Sequence, residues 1–344
     1  MNRVRLIGTA AVLIGIVGLA GCGGRGEVSR GGRPIKRAVP DQGTVTAAGV
    51  VLPGDLKLKT LWDLKIRKGS VVKAWVSGDY VMVATEGPNL LYLLRKKDGY
   101  THWVCEFAKP IELKYPPTIS ADAVMVMSDE RIVRVHRSFG QIVCKLKPGV
   151  PVSARPVLET WVESANMAPV IYAPSYGDGR LWSLRVRKLE REVPNPVPGE
   201  APIKFPVYAT TRGWSRGAPR GGGHILAPLV KVGGFIYACT TNGYVMAIKS
   251  HDGSHIWPPI QTQGTVQGGV SIAKDRLLFG SSDFKLYCLD LLSGEKKWEL
   301  PTGSVVSARP LGDMAAGVVV CVGEGQGLIG VESKKGGRLW TNAE

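Results

Sequence analysis

The sequence is short of the groups on which most enzymatic chemistry depends. Its 344 residues include five histidines and six cysteines. No cysteine lies in a CxxC pair or beside another cysteine, so the spacing of zinc ribbons and redox dithiols is missing. His251 and His255 are four apart, but they flank the turn HDGSH rather than share a helix face, which argues against a zinc pair. No acidic cluster has the spacing of an oxygen-ligand loop for calcium. GAPRGGGH at 217–224 is glycine-rich yet follows no strand-to-helix pattern, which argues against a phosphate loop. Nothing nominates a nucleophile, a general base or a metal, and the chain reads as non-catalytic and free of cofactors.

Helical patterning and acidic charge are also scarce. No long amphipathic helical stretch follows the N-terminus; alternating Val, Ile and Leu runs are punctuated by 44 glycines and 23 prolines, the texture of an all-β protein. Asp and Glu number 28 against 44 Lys and Arg, a formal charge of +16, of which Arg3 and Arg5 belong to a leader. In a cytosolic protein such a balance points to nucleic acid. The leader argues otherwise: an exported chain meets acidic membrane, anionic polysaccharide or acidic protein surfaces, and nucleic acid is not expected.

That leader is MNRVRLIGTAAVLIGIVGLAGCGG: two arginines, an apolar run and small residues, the layout of a secretory signal. Its apolar run is short of the roughly 20 residues of a comfortable membrane span. Leu19-Ala20-Gly21-Cys22 resembles a bacterial lipobox, in which residues 1–21 are removed and Cys22 is acylated; several fatty chains there would anchor the protein stably. Gly23 after the cysteine implies, by that resemblance, the outer membrane. Residues 22–45 are rich in Gly, Arg and Pro and read as a flexible tether. Five cysteines remain beyond Cys22; Cys239 and Cys321 fall in apolar strand runs and read as small buried hydrophobes.

What is abundant is repetition. KLYCLDLLSGEKKW (285–298) is an apolar-alternating run, a Ser-Gly turn and a short charged run ending on tryptophan. Variants recur at 89–103, 131–144, 180–192, 243–257 and 327–340, and a strand-turn-strand pattern precedes the copies. Trp62 to Trp103, Trp103 to Cys144 and Trp257 to Trp298 are each 41 residues apart, and Trp298 to Trp340 is 42. A unit of about four strands and 40–45 residues is what a β-propeller blade requires, because radial packing covers both faces of each blade. Trp62, Trp103, Trp257, Trp298 and Trp340 are therefore expected on outer strands, wedged into the neighbouring blade.

The pattern D-x-x-(T/S)-G-x-x-x-W-x-x-x-x-G in these units resembles the PQQ-type, tryptophan-docking propeller repeat over about residues 60–341, with 283–303 fitting nearly throughout. With the lipobox, the chain is similar to the BamB family, the propeller lipoproteins of the β-barrel assembly machinery. That resemblance implies a lipid-anchored, monomeric scaffold with envelope protein partners, sited at the outer membrane and facing the periplasm. A propeller that binds an envelope polysaccharide or anionic small molecule is the alternative, and a PQQ-dependent dehydrogenase a remote one.

Residues 46–344 are thus expected to form one propeller of six four-stranded antiparallel blades, or seven if residues 44–62, which look like the second half of a unit, belong to a further blade. Cys144 to Trp257 is 113 residues, more than two periods. The surplus falls in the Pro- and Gly-rich stretch 190–223, read as a loop insertion whose Arg212, Trp214, Arg216 and Arg220 form a candidate partner-contact surface. The string VSARP occurs at 152–156 and 306–310, in the third and sixth units. Those units oppose each other in a ring of six, which makes Arg155 and Arg309 a candidate anion site.

Overall fold

In a computed structural model the repeated unit is a four-stranded antiparallel sheet whose strands follow one another in chain order, six times over. The structure describes residues 2–8, 12–18, 59–66, 68–107, 115–119, 123–127, 131–159, 169–176, 178–193, 201–219 and 221–342. Every element among them is a strand, and none is a helix able to cross a membrane. The protein is an all-β propeller of six four-stranded blades.

The first sheet runs from Ser70–Ser77 to Thr101–Glu106, the second from Thr118–Ile119 to Ile142–Leu146 and the third from Val157–Leu158 to Ile203–Arg216. The fourth runs from Val230–Val232 to Ile260–Gln261, the fifth from Val270–Ala273 to Lys296–Pro301 and the sixth from Leu311–Asp313 to Arg338–Asn342. Chain contacts group the first two sheets in one unit and the last four in another.

The second strands of the first five sheets explain the packing. Ala123–Met127 is buried at all five positions, and Ile236, Tyr237, Ala238 and Cys239 are each at most 1% exposed. A strand with only one covered face would alternate, so these continuous apolar runs mean that both faces are covered. The clusters show what covers them. Leu278, Cys288 and Trp298 of the fifth sheet pack with Val319, Cys321 and Ile329 of the sixth. Tyr237 and Val245 of the fourth meet Leu277 and Phe279 of the fifth, and Met82 and Leu91 of the first meet Val124 and Val133 of the second. Within each unit the core is therefore a series of layers between neighbouring sheets, each fully buried Leu, Ile or Val contributing roughly 1.5–3 kcal/mol.

Three segments lie wholly or partly outside the repeated sheets. The stretch 190–223 is largely paired: Leu181–Val193 and Ile203–Arg216 form a hairpin of 13- and 14-residue strands. Only Leu181–Arg185 also pair with the preceding strand, so the hairpin continues beyond the sheet as a two-stranded ribbon. Ile203–Arg216 is the outermost strand of its sheet, and an edge position tolerates Pro206, whose missing N–H would break an interior ladder. Second, Asn2–Gly8 pairs with Val12–Gly18 and, on its other edge, with Lys59–Ile66. Third, Lys59–Ile66 belongs to none of the six sheets, each of which already has its own outer strand. Cys22 and the tether 22–45 lie outside the described residues.

Candidate functional site

Five indoles are seated in the same way. Trp62, Trp103, Trp257 and Trp298 are buried, and Trp214 is partly buried. Each receiving turn is closed by a backbone hydrogen bond from a glycine N–H to the carbonyl four residues earlier: Gly99 to Arg95, Gly140 to His136, Gly253 to Lys249, Gly294 to Asp290 and Gly336 to Glu332. The indole lies over that glycine, where a Cβ would come within 2.6–2.8 Å of a ring carbon. Its N–H donates to the carbonyl three residues before the glycine: Trp62 to Lys96, Trp103 to Arg137, Trp214 to Ser250, Trp257 to Leu291 and Trp298 to Ser333. Each turn thus offers a flat seat for the ring and an acceptor for its polar edge, the two needs of a buried tryptophan.

The acidic residue of the motif shapes the seat. Asp290 Oδ1 accepts the N–H groups of Leu292 and Ser293 at 3.1 and 3.0 Å. The Ser293 backbone bond, foremost, holds the Asp290 carboxyl below the ordinary range. Glu332 serves the sixth sheet likewise, accepting from Lys334 and Lys335 N–H.

Two tryptophans depart from the expected roles. Trp340 lies across Gly330 of the adjacent strand of its own sheet and stays 43% exposed, where the docked Trp298 is 7% exposed. Trp214 is not on a contact loop: it stacks near Tyr172 at 5.7 Å and is seated on the fourth sheet's turn. Its neighbours are committed internally as well. Arg212 donates to Gly149 O at 2.9 Å and stands 5.1 Å over the Trp182 ring, and Arg216 Nε donates to Gly253 O at 2.6 Å. These three side chains thus have partners within the fold, and Trp214 serves as a docking residue; Arg220 lies outside the described residues. A signal for Trp214 was present, since 43 residues, one repeat, separate it from Trp257.

Arg155 and Arg309 enter the first strands of the third and sixth sheets. Burial holds both guanidiniums below the ordinary arginine value, and the positive charge of Arg309 lowers Arg155 further. In the same unit a polar groove of about 800 Å³ is lined by Thr241, Asn242, Gln261, Gln263, Thr265 and Ser282. Part of its lining is already bonded within the fold: Asn242 Nδ2 donates to Gly221 O, and Ser282 Oγ accepts Thr265 N–H at 2.8 Å.

Residues 241–344 match the family described as "Outer membrane protein assembly factor BamB". BamB of Salmonella typhimurium is 25% identical over 115 residues, 30% of this chain and 29% of that protein, so the chain spans under a third of the relative's length. The crystal structure of BamB from Moraxella catarrhalis superposes with a TM-score of 0.51 at 17% identity, covering 83% of this chain and 77% of that one. The computationally designed Ika8 protein superposes at 0.54 with 11% identity over 81% of this chain and 76% of its own. Residues 241–344 are thus similar to the BamB family, and the chain shares the fold of a PQQ-type propeller. At these identities the solved structures speak for the fold alone, while the family match is confined to the last two sheets and part of the fourth.

Quinoproteins share this repeat, which raises the question of a quinone site. By family resemblance the quinone lies beneath a vicinal disulfide and beside calcium. Cys105, Cys144, Cys239, Cys288 and Cys321 are buried and form no disulfide with one another, and no cluster of three His, Cys, Asp or Glu able to hold a metal occurs among the described residues. The described donor set does not fit that group. Burial raises the thiols of Cys239 and Cys288 to about 12 and of Cys105 and Cys321 to about 11. They are protonated at neutral pH and poorly nucleophilic.

Proposed function

We propose that this chain is a non-catalytic interaction scaffold of the cell envelope that assists outer-membrane protein assembly. In this reading it is anchored through acylated Cys22 and faces the periplasm. The observation that carries the proposal is the match of residues 241–344 to the BamB assembly-factor family, on a chain whose six sheets have the BamB architecture. The ribbon of the third sheet supports it. Leu189 and Val207 are directly opposite across the ribbon and are 50% and 40% exposed, an apolar pair amid Arg187, Lys188, Arg191 and Lys204. A rigid sheet carrying a protruding element is a common way to present a contact surface.

Affinity purification with crosslinking from detergent-solubilised membranes tests the proposal. Recovery of barrel-assembly components supports the scaffold; retention of glycan without protein partners replaces it with the ligand-binding alternative, which the groove at Thr241–Ser282 favours. Metabolic labelling with a fatty acid tests the anchor, with incorporation lost in Cys22→Ser.

A further inference from the structure

The polar groove between the turns of the fourth and fifth sheets differs in kind from an ordinary small-molecule cavity. Its volume of about 800 Å³ is within the span of ligand sites. Such sites are mostly apolar, yet every residue lining this one is Thr, Asn, Gln, Ser or Gly. Its walls are fixed by bonds within the fold. Thr262 N–H donates to Gly243 O at 3.0 Å, Thr265 N–H to Ser282 Oγ at 2.8 Å and Gln263 N–H to Asp283 Oδ2 at 3.2 Å. The carboxamides of Gln261 and Gln263, by contrast, have no hydrogen bond among the described residues, and both residues are exposed.

The fifth sheet shows what the fold alone requires. Gln261 pairs with Tyr244, and Pro301 with Lys285, at equivalent places in the two sheets. Thr262 donates its N–H and hydroxyl to Gly243 O, as Thr302 does to Phe284 O. In this register Gln261 and Gln263 stand where the fifth sheet has Pro301 and Gly303, so neither carboxamide is needed to hold the linker. Gly243 stands where the fifth sheet has Phe284. Both are left-handed, with φ of +79° and +64°, a conformation that glycine adopts freely and a bulky side chain does not. The Phe284 ring is 52% exposed, so burial does not offset the strain, and strain of this kind collects where a side chain serves function.

We infer that the groove binds an uncharged saccharide, with Gln261 and Gln263 bonding its hydroxyls and Phe284, on the turn that supplies Ser282, offering a face to a sugar ring. A carboxamide carries two donors and an acceptor, which suits hydroxyl groups that do both, and the apolar face of a pyranose suits an aromatic ring. No Lys or Arg lines the groove, and the Asp283 carboxylate stands at its wall, so an anionic sugar is disfavoured. A peptide would bring side chains that need pockets of their own, and the lining offers them no apolar contact.

The test uses the full chain in detergent, with maltotriose, cellotriose and tri-N-acetylchitotriose as probes and tetraglycine and inorganic phosphate as controls. At millimolar concentration at least one trisaccharide is expected to raise the melting temperature and to bind by calorimetry. Gln261→Ala with Gln263→Ala should weaken that binding at least tenfold and leave the ligand-free melting temperature unchanged. Phe284→Gly should also weaken it at least tenfold while raising the ligand-free melting temperature, because the left-handed strain is gone. A lower melting temperature for Phe284→Gly would assign the ring to packing and overturn its part in the site. No binding of any of the sugars, equal binding in native and substituted chains, or binding of tetraglycine or phosphate in their place overturns the proposal. Recovery of crosslinked partners, the readout of the scaffold, should be unchanged in Gln261→Ala with Gln263→Ala, so that failure of either reading leaves the other standing.

Discussion

Trp298 lies over Gly336 and donates its indole N–H to Ser333 O at 2.9 Å, joining the fifth sheet's outer strand to the sixth sheet's turn. Gly336 meets two demands there. Its φ of +76° is left-handed, and a Cβ would sit 2.7 Å from the indole. Gly317 of the same sheet has a φ of +74° with nothing within 4 Å of its would-be Cβ. Gly317→Ala should therefore cost only the left-handed penalty, about 1–2 kcal/mol. Gly336→Ala should add an overpacking term of about 1–3 kcal/mol. Urea unfolding of both variants measures the difference; equal losses would mean that ring contact does not restrict the turn.

The same comparison separates the tryptophans. Trp298→Ala removes a buried indole and leaves a cavity, for which about 3–5 kcal/mol is expected. Trp340→Ala removes a ring already 43% exposed and should cost about 1 kcal/mol or less. Trp214→Ala, at a seat with the same hydrogen bond, should resemble Trp298→Ala. Melting temperatures of the three variants decide, and a large loss for Trp340→Ala would mean that its ring is covered in the working protein.

The period of the sequence made the architecture legible because the seat is built from neighbours in the chain. A turn glycine, the carbonyl three residues before it and a tryptophan about 37 residues earlier recur wherever the sheet recurs. The third sheet was harder. Its hairpin grew outward, which moved the turn away from the glycine pattern and placed Pro206 and Gly213 in a strand. The tryptophan apparently lost near Glu192 lies at position 214 instead. The exposure of Trp340 depends on what faces it, which no local pattern encodes. VSARP was visible as a string, but the relative position of its two copies depends on the placement of four sheets.

Alkaline pH should weaken the fold. The buried thiols of Cys105, Cys239, Cys288 and Cys321 are raised from 9.0 to between about 11 and about 12. The native state therefore keeps protons that the unfolded chain releases above 9. Stability from this source is intact below about pH 9 and falls as pH rises toward 12, by roughly 1.4 kcal/mol per pH unit for each thiol. Tyr237, raised by burial to about 12, acts in the same direction above about pH 10. Urea midpoints across the range should be flat near neutrality and decline beyond pH 9, and a thiol reagent should label these cysteines only after unfolding. A midpoint that holds steady to pH 11 contradicts the burial.

The ribbon supplies the sharpest test of the scaffold reading. Leu189 and Val207 face each other on strands that pair only with one another beyond the sheet, so replacing both removes apolar surface without opening the core between sheets. Leu189→Asp with Val207→Asp should leave the melting temperature within about a degree, since exposed substitutions away from the core seldom exceed about 0.5 kcal/mol. The like charges across the ribbon disfavour the pair by about as much. Recovery of crosslinked barrel-assembly partners should fall at least tenfold if the ribbon is the gripping element, because a few apolar anchors carry most of the energy of such contacts. Undiminished recovery with an intact fold would move the contact surface from the ribbon to another part of the propeller.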